Sequence, residues 1–148
     1  MKSKVILLID GENISASHGE QILSIGHRLG TIVACKVYHR QKDPVTRRWT
    51  EQSRGGRYKD ICLFGPPAKD KVDRKMQKDA RAYLKKPDID MVCVATSDGG
   101  FHSLAEDAAT AGKGLCFIGG QRASQRLRNA PARFIELADG VDQVSPNG

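Results

Sequence analysis

The stretch Val5-Ile6-Leu7-Leu8-Ile9-Asp10-Gly11-Glu12-Asn13 decides the fold. Its five consecutive apolar side chains leave no polar face, so a strand built from them is covered on both sides, as central strands of parallel sheets are. The run then breaks into a carboxylate, a glycine, a second carboxylate and an amide. Polar chemistry is thereby set at the strand's carboxyl end, where open α/β sheets place their ligands. The segment Met91-Val92-Cys93-Val94-Ala95-Thr96-Ser97-Asp98-Gly99-Gly100 repeats the pattern. Two buried strands that each deliver an Asp to one sheet edge point to a divalent-metal site.

Outward from these runs the chain alternates strand and helix. Strands are expected near 4–9, 31–38, 60–64, 90–96 and 114–118, with a short sixth near 134–137. Helices are expected near 17–28, 45–54, 70–85, 101–112 and 122–129. This alternation predicts a single three-layer α/β/α domain over residues 1–140, with residues 141–148 as a flexible tail. Right-handed crossovers then favour the strand order 3-2-1-4-5, which makes strands 1 and 4 neighbours and sets Asp10 beside Asp98 at the reversal point.

A third acidic contribution comes from Lys71-Val72-Asp73-Arg74-Lys75-Met76-Gln77-Lys78-Asp79-Ala80-Arg81-Ala82-Tyr83-Leu84. At about 100° per residue, Val72, Met76, Ala80, Tyr83 and Leu84 form one stripe, with Asp79 inside it and Asp73 along its edge. Carboxylates on a buried helix face need a partner, and a metal shared with Asp10 and Asp98 supplies one. Each acid also has an ordinary alternative. Asp73 suits a helix N-terminus, Asp79 can pair with a Lys or Arg, Asp98 can cap the next helix, and Asp10 can bond amides of its own turn. Convergence of all four at one crevice favours the metal site.

The 148 residues (16.2 kDa) suit one domain with a substantial core, and no apolar run is long enough to span a bilayer. A net charge of +7 and a pI near 9.4 favour polyanionic partners, nucleic acid first. Cys35, Cys62, Cys93 and Cys116 each sit in an apolar strand-like run and form no CxxC pair. They are expected to be reduced core thiols, which suits a cytoplasmic protein.

Together these residues resemble the NYN domain family, a branch of the PIN-like ribonucleases. The resemblance rests on Leu8-Ile9-Asp10-Gly11-Glu12-Asn13-Ile14, on Lys71-Val72-Asp73 followed by Asp79, and on Thr96-Ser97-Asp98-Gly99-Gly100-Phe101 before Leu104. Ala111-Gly112-Lys113 and the closing Phe134-Ile135-Glu136-Leu137 extend it over nearly the whole chain. It implies a Mg²⁺- or Mn²⁺-dependent endoribonuclease acting on RNA. By position it implies Asp10, Asp73, Asp79 and Asp98 as the catalytic, metal-binding acids, with Asn13, Ser97 and Glu12 in support. One departure stands out: many relatives carry a further Asp two positions after the residue matched by Asp98, and this chain has Gly100 there. Two readings therefore stay open, an enzyme and a weakly active or inactive RNA-binding module of the same fold.

An oxygen-only ligand set suits a hard cation, and no Ser-His-Asp or Cys-His arrangement competes. His102 lies beside the acids as a packing or substrate-contact residue. Basic residues follow the strand ends: Arg40, Arg47 and Arg48 after strand 2, Lys69 and Lys71 after strand 3, Arg122 and Arg126 after strand 5. They are expected to form a positive rim that holds the phosphate backbone. Trp49 and Tyr58 are candidates for stacking on unpaired bases, with Trp49 expected to be at least partly core. A phosphatase with Asp10 as nucleophile fits less well, since Glu12 replaces the acid expected two positions on and no cap segment is evident. A dinucleotide-binding domain fits less well still, because Asp10-Gly11-Glu12-Asn13 sets negative charge where a pyrophosphate needs glycines. The sequence leaves room for a protein partner or a homo-oligomer.

Overall fold

The computed structural model describes residues 2–40, 47–65 and 70–138. Six parallel strands, β1 (Lys4–Asp10), β2 (Thr31–Arg40), β3 (Lys59–Leu63), β4 (Met91–Ala95), β5 (Gly114–Gly119) and β6 (Arg133–Glu136), form one sheet. Their order is β3-β2-β1-β4-β5-β6, so the expected core order holds and the sixth strand joins beside β5. Five α-helices connect them: α1 (Gly19–Leu29), α2 (Arg47–Ser53), α3 (Lys71–Leu84), α4 (Leu104–Ala111) and α5 (Gln125–Asn129). Two helices begin differently from expectation. Short 3-10 turns at Ala16–His18 and Gly99–Ser103 precede α1 and α4, each opened by a side-chain cap, Ser15 and Asp98.

The alternation of side chains along β1 builds two cores. Ile6 and Leu8 face one layer with Val72, Met76, Ala80 and Leu84 of α3 and with Leu104 and Ala108 of α4. Val5, Leu7 and Ile9 face the other, with Ile22 and Ile25 of α1 and Trp49 of α2. All five β1 side chains are fully buried, as an uninterrupted apolar run requires. Cys35, Cys93 and Cys116 are buried, Cys62 is partly buried, and all four are free thiols, as expected. Among the described residues no helix is long and apolar enough to cross a membrane. The proposed tail, residues 141–148, lies outside the described residues.

The register fixes what happens at the carboxyl edge. Ile9 pairs with Ala95 on one side of β1, and Asp10 with Tyr38 on the other. One step beyond Ala95 is Thr96, so the last residue of β1 emerges between Tyr38 and Thr96. Gly11 then turns the chain tightly against β2, its N–H bonding the Tyr38 carbonyl at 2.8 Å. A Cβ on Gly11 would stand 2.8 Å from that same oxygen and 2.9 Å from Val37 Cγ1, so any side chain there would displace the turn.

Candidate active site

Asp10 is fully buried, and its carboxylate is held by three donors. Asn13 Nδ2 donates to Oδ2 at 2.6 Å, Thr96 Oγ1 donates to the same oxygen at 2.9 Å, and the Glu12 N–H donates to Oδ1 at 3.2 Å. Burial pushes the Asp10 carboxyl up from its ordinary range, and these hydrogen bonds pull it back. Of the roughly four lone-pair positions of a carboxylate, three are used, which leaves Oδ1 able to accept once more.

Thr96 joins Asp10 to Asp98. While its hydroxyl donates to Asp10, the same oxygen accepts from the Asp98 N–H at 3.2 Å. Asp98 caps the 3-10 turn before α4, accepting from the Gly100 N–H at 2.9 Å. The capping role and a site role are thus compatible, because one oxygen takes the cap and the carboxyl still faces α3. Asp73, in the first turn of α3, lies beside it there, close enough for each carboxyl to perturb the other.

Two carboxyls in contact cannot both ionise cheaply. Desolvation, followed by the hydrogen bond and the charge of Asp98 and then the charges of Asp10 and Asp70, pushes Asp73 up to about 8. Asp98 is held below its ordinary range, by that shared hydrogen bond and then by the Gly100 amide. Asp73 and Asp98 thus neighbour each other at the end of β4, and Thr96 links Asp98 to Asp10 at the end of β1.

Asp79 stands apart. Tyr38 Oη donates to its Oδ2 at 2.6 Å, and Lys75 Nζ lies 3.1 Å from its Oδ1. Six residues along a helix amount to about 9 Å of rise and a turn of about 120° away from Asp73, so the two acids sit on opposite shoulders of the buried face. Asp73 looks toward β4 and Asp79 toward β2. The expected helix pair thus contributes one acid to the cluster.

Glu12 also has its own partner. Its Oε2 accepts from the Arg40 backbone N–H at 3.0 Å and from Arg40 Nε at 2.9 Å, tying the β1 turn to the end of β2. Ser97 is half-buried beside Asp98, and its carbonyl accepts from the Ser124 N–H. His102 is exposed and bonded through Nδ1 to the Gly99 carbonyl.

The expected basic rim divides. Arg126 packs over the Asp98 loop: a Cβ on Gly99 would lie 3.3 Å from Arg126 Cβ. Arg122 lines a cleft of about 390 Å³ with Asn13, Ser97 and Gln121, next to the acids. Lys71 Nζ bonds the Phe64 carbonyl, and Arg40 is held by Glu12. Arg47 and Arg48 are exposed on α2, in the layer opposite Asp73. Lys69 lies outside the described residues. The stacking role considered for Trp49 and Tyr58 is overturned. Both are buried, their rings packed edge to face 5.4 Å apart, with Trp49 Nε1 donating to the Ile14 carbonyl. Trp49 fills the core under the Gly11 turn, in keeping with its expected place in the core.

Among the described residues no group of three or more His, Cys, Asp or Glu is drawn together closely enough to cage a metal ion. Mg²⁺ commonly uses one or two carboxylates and fills its octahedron with water and phosphate. The Asp73–Asp98 pair, with Asp10 behind it, fits such an ion by donor type and by its uncompensated charge. Thr96 is the residue beside the acids that the sequence reading did not single out; its signal lies in the topology, since the order 1-4 makes it a neighbour of Asp10.

Comparison with known proteins agrees with this architecture. No curated protein matches the chain. The crystal structure of a protein of unknown function from Vibrio parahaemolyticus is similar in fold, with a TM-score of 0.75 over 93% of this chain and 94% of that one, at 24% identity. The family model of the NYN domain matches residues 4–138. The chain, with its PIN-like sheet and its acids at the β1–β4 edge, belongs to the NYN domain family.

Proposed function

We propose that this protein is a metal-dependent endoribonuclease that hydrolyses RNA phosphodiester bonds at the Asp10–Asp73–Asp98 cluster. The NYN domain places it among PIN-like nucleases, and ribonuclease activity is general among them. The observation that carries the finer reading is the Asp73–Asp98 contact, a pair of acids whose mutual repulsion a proton or a cation must offset. Asp73 and Asp98 would hold Mg²⁺ or Mn²⁺, with Asp10 accepting through its remaining Oδ1 position. Such an ion, when bound, supplies charge stabilisation at the attacked phosphate and a more acidic water.

The chain's own residues prepare the rest. Asn13 and Thr96 hold Asp10 in one orientation at the edge where β1 and β4 end side by side. Asp73 releases its proton when a cation takes its place, which makes loading of the site favour alkaline conditions. Arg126, packed on Gly99, and Arg122, in the cleft with Asn13 and Ser97, would supply positive charge for the substrate's phosphates. A cytoplasmic setting agrees with the free thiols.

The second reading, an RNA-binding module that does not cleave, is favoured by Gly100 and by the lack of a preformed three-ligand cage among the described residues. Incubation with labelled RNA in Mn²⁺ or Mg²⁺, beside an Asp10→Asn/Asp98→Asn double variant, separates the two. Cleavage by the parent chain and none by the variant is the expected result. RNA that is bound by both and cut by neither establishes the module instead.

A further inference from the structure

Residues 71–86 hold seven Lys and Arg against two Asp, so a net +5 of the chain's +7 falls on sixteen residues. Four of the seven are aligned. Arg74, Lys78, Arg81 and Lys85 follow one another at four, three and four residues, which sets them within about 60° of each other on α3 and along about 16 Å of its axis. That stripe lies away from Val72, Met76, Ala80 and Leu84, which face the core. With Gln77 and Ala82 the same four residues line a shallow groove on the outer side of the helix.

The groove starts at the acid cluster. Gln77 Nε2 donates to the Gly100 carbonyl at 3.4 Å, joining the upper end of the groove to the loop that carries Asp98. Arg81 Nε bonds Asp107 of α4 at 2.8 Å, which fixes one wall. The Arg74–Asp70 pair is exposed, so it neutralises little. Among the described residues Lys78 and Lys85 have no acidic partner.

We propose that this stripe is a track for a nucleic-acid backbone, carrying about four successive phosphates of one strand away from the acid cluster along α3. Regular spacing of cations beside a polar groove suits a repeating phosphate better than it suits a single anion or the irregular surface of an acidic protein. The partner's identity as RNA rests on the nuclease reading; the backbone chemistry rests on the stripe itself.

The test is a salt titration of binding to a labelled single-stranded uridine 20-mer, with chelator present so that nothing is cut. Each phosphate contact contributes about −0.7 to the slope of log K against log salt for a single strand. The Lys78→Gln/Lys85→Gln variant is expected to flatten that slope by about 1.4 and to weaken binding about tenfold near 0.15 M salt. A Lys2→Gln/Arg28→Gln control removes the same charge from residues outside the groove and is expected to leave the slope unchanged. Equal slopes for all three proteins, an equal loss in the control, or no binding by the parent chain overturns the track. Cleavage in Mn²⁺ is read separately. A flattened slope with no cleavage sinks the nuclease reading and keeps the track, whereas cleavage with an unchanged slope sinks the track alone.

Discussion

The two halves of the sheet's carboxyl edge treat their acids differently. On the β2–β3 side, Asp60 of β3 accepts from Thr50 Oγ1 at 3.1 Å and lies 2.6 Å from His39 Nε2, Asp79 holds Tyr38 and Lys75, and Glu12 holds Arg40. Each of these acids faces a donor supplied by another element, so it fastens a helix or a turn to the sheet. Beyond β1 and β4, Asp73 faces Asp98, with Asp10 close behind. Pairing an acid with a donor stabilises the fold, while pairing it with another acid costs stability unless something from outside completes it. The contrast separates carboxylates that build the protein from carboxylates that await a ligand.

The largest expected effect tests that division directly. Asp98→Asn should lower RNA hydrolysis by on the order of 10²–10⁴-fold, the scale of losing a charge-bearing or acid–base group at a reacting centre. Asp79→Ala should leave hydrolysis within about twofold and instead cost about 1–3 kcal/mol of stability, because the fully buried Tyr38 hydroxyl loses its acceptor. Rates measured beside urea melts would show both. If Asp79→Ala destroyed cleavage while the melt stayed unchanged, Asp79 would belong to the acid cluster and the division would fail.

Most of this edge could be read in the sequence, and the failures have physical causes. The apolar runs ending in Asp10 and near Asp98 give away two central strands, because only a doubly covered strand tolerates five apolar residues in a row. Asp73 and Asp79 both read as half-buried helix acids, and both are. Which strand each one faces depends on the side from which α3 packs, and a one-dimensional stripe does not encode that. For Trp49 the core reading holds and the stacking reading does not: its neighbours Arg47 and Arg48 are exposed, but a helix of seven residues turns one side chain inward regardless of its flanks. Thr96 was overlooked because a strand-end threonine is unremarkable until the register sets it against Asp10.

A smaller effect is expected at Thr96. Replacing it by Val keeps the volume and removes the hydroxyl that bonds Asp10 and receives the Asp98 amide. Asp10 keeps Asn13 and its local amide, so it stays buried but loses its tie to the β4 end. Hydrolysis should fall about ten- to a hundredfold, the usual consequence of removing a group that orients a metal-binding carboxylate. Mn²⁺ affinity, read by calorimetry, should fall with it. Loss of rate with unchanged Mn²⁺ affinity would mean that Thr96 acts on the substrate and not on the acids.

The smallest effect is the most specific to the crowded half of the edge. Because the folded Asp73 carboxyl titrates near 8 and its ordinary value is 3.8, the folded chain binds this proton more tightly than the unfolded one. The associated stability is fully present below about pH 4 and is lost as the pH rises toward 8. At this partly exposed pair, solvent screening reduces the loss to about 1–2 kcal/mol, a few degrees in Tm. Asp73→Asn fixes the neutral state, so its Tm should match the parent chain's near pH 4 and exceed it at pH 8. Saturating Mn²⁺ should erase the gap in the parent, since a cation then replaces the proton between Asp73 and Asp98. A parent chain whose Tm ran parallel to that of the variant from pH 4 to 8 would show that the two carboxyls do not share a proton, and that the two halves of the edge are alike.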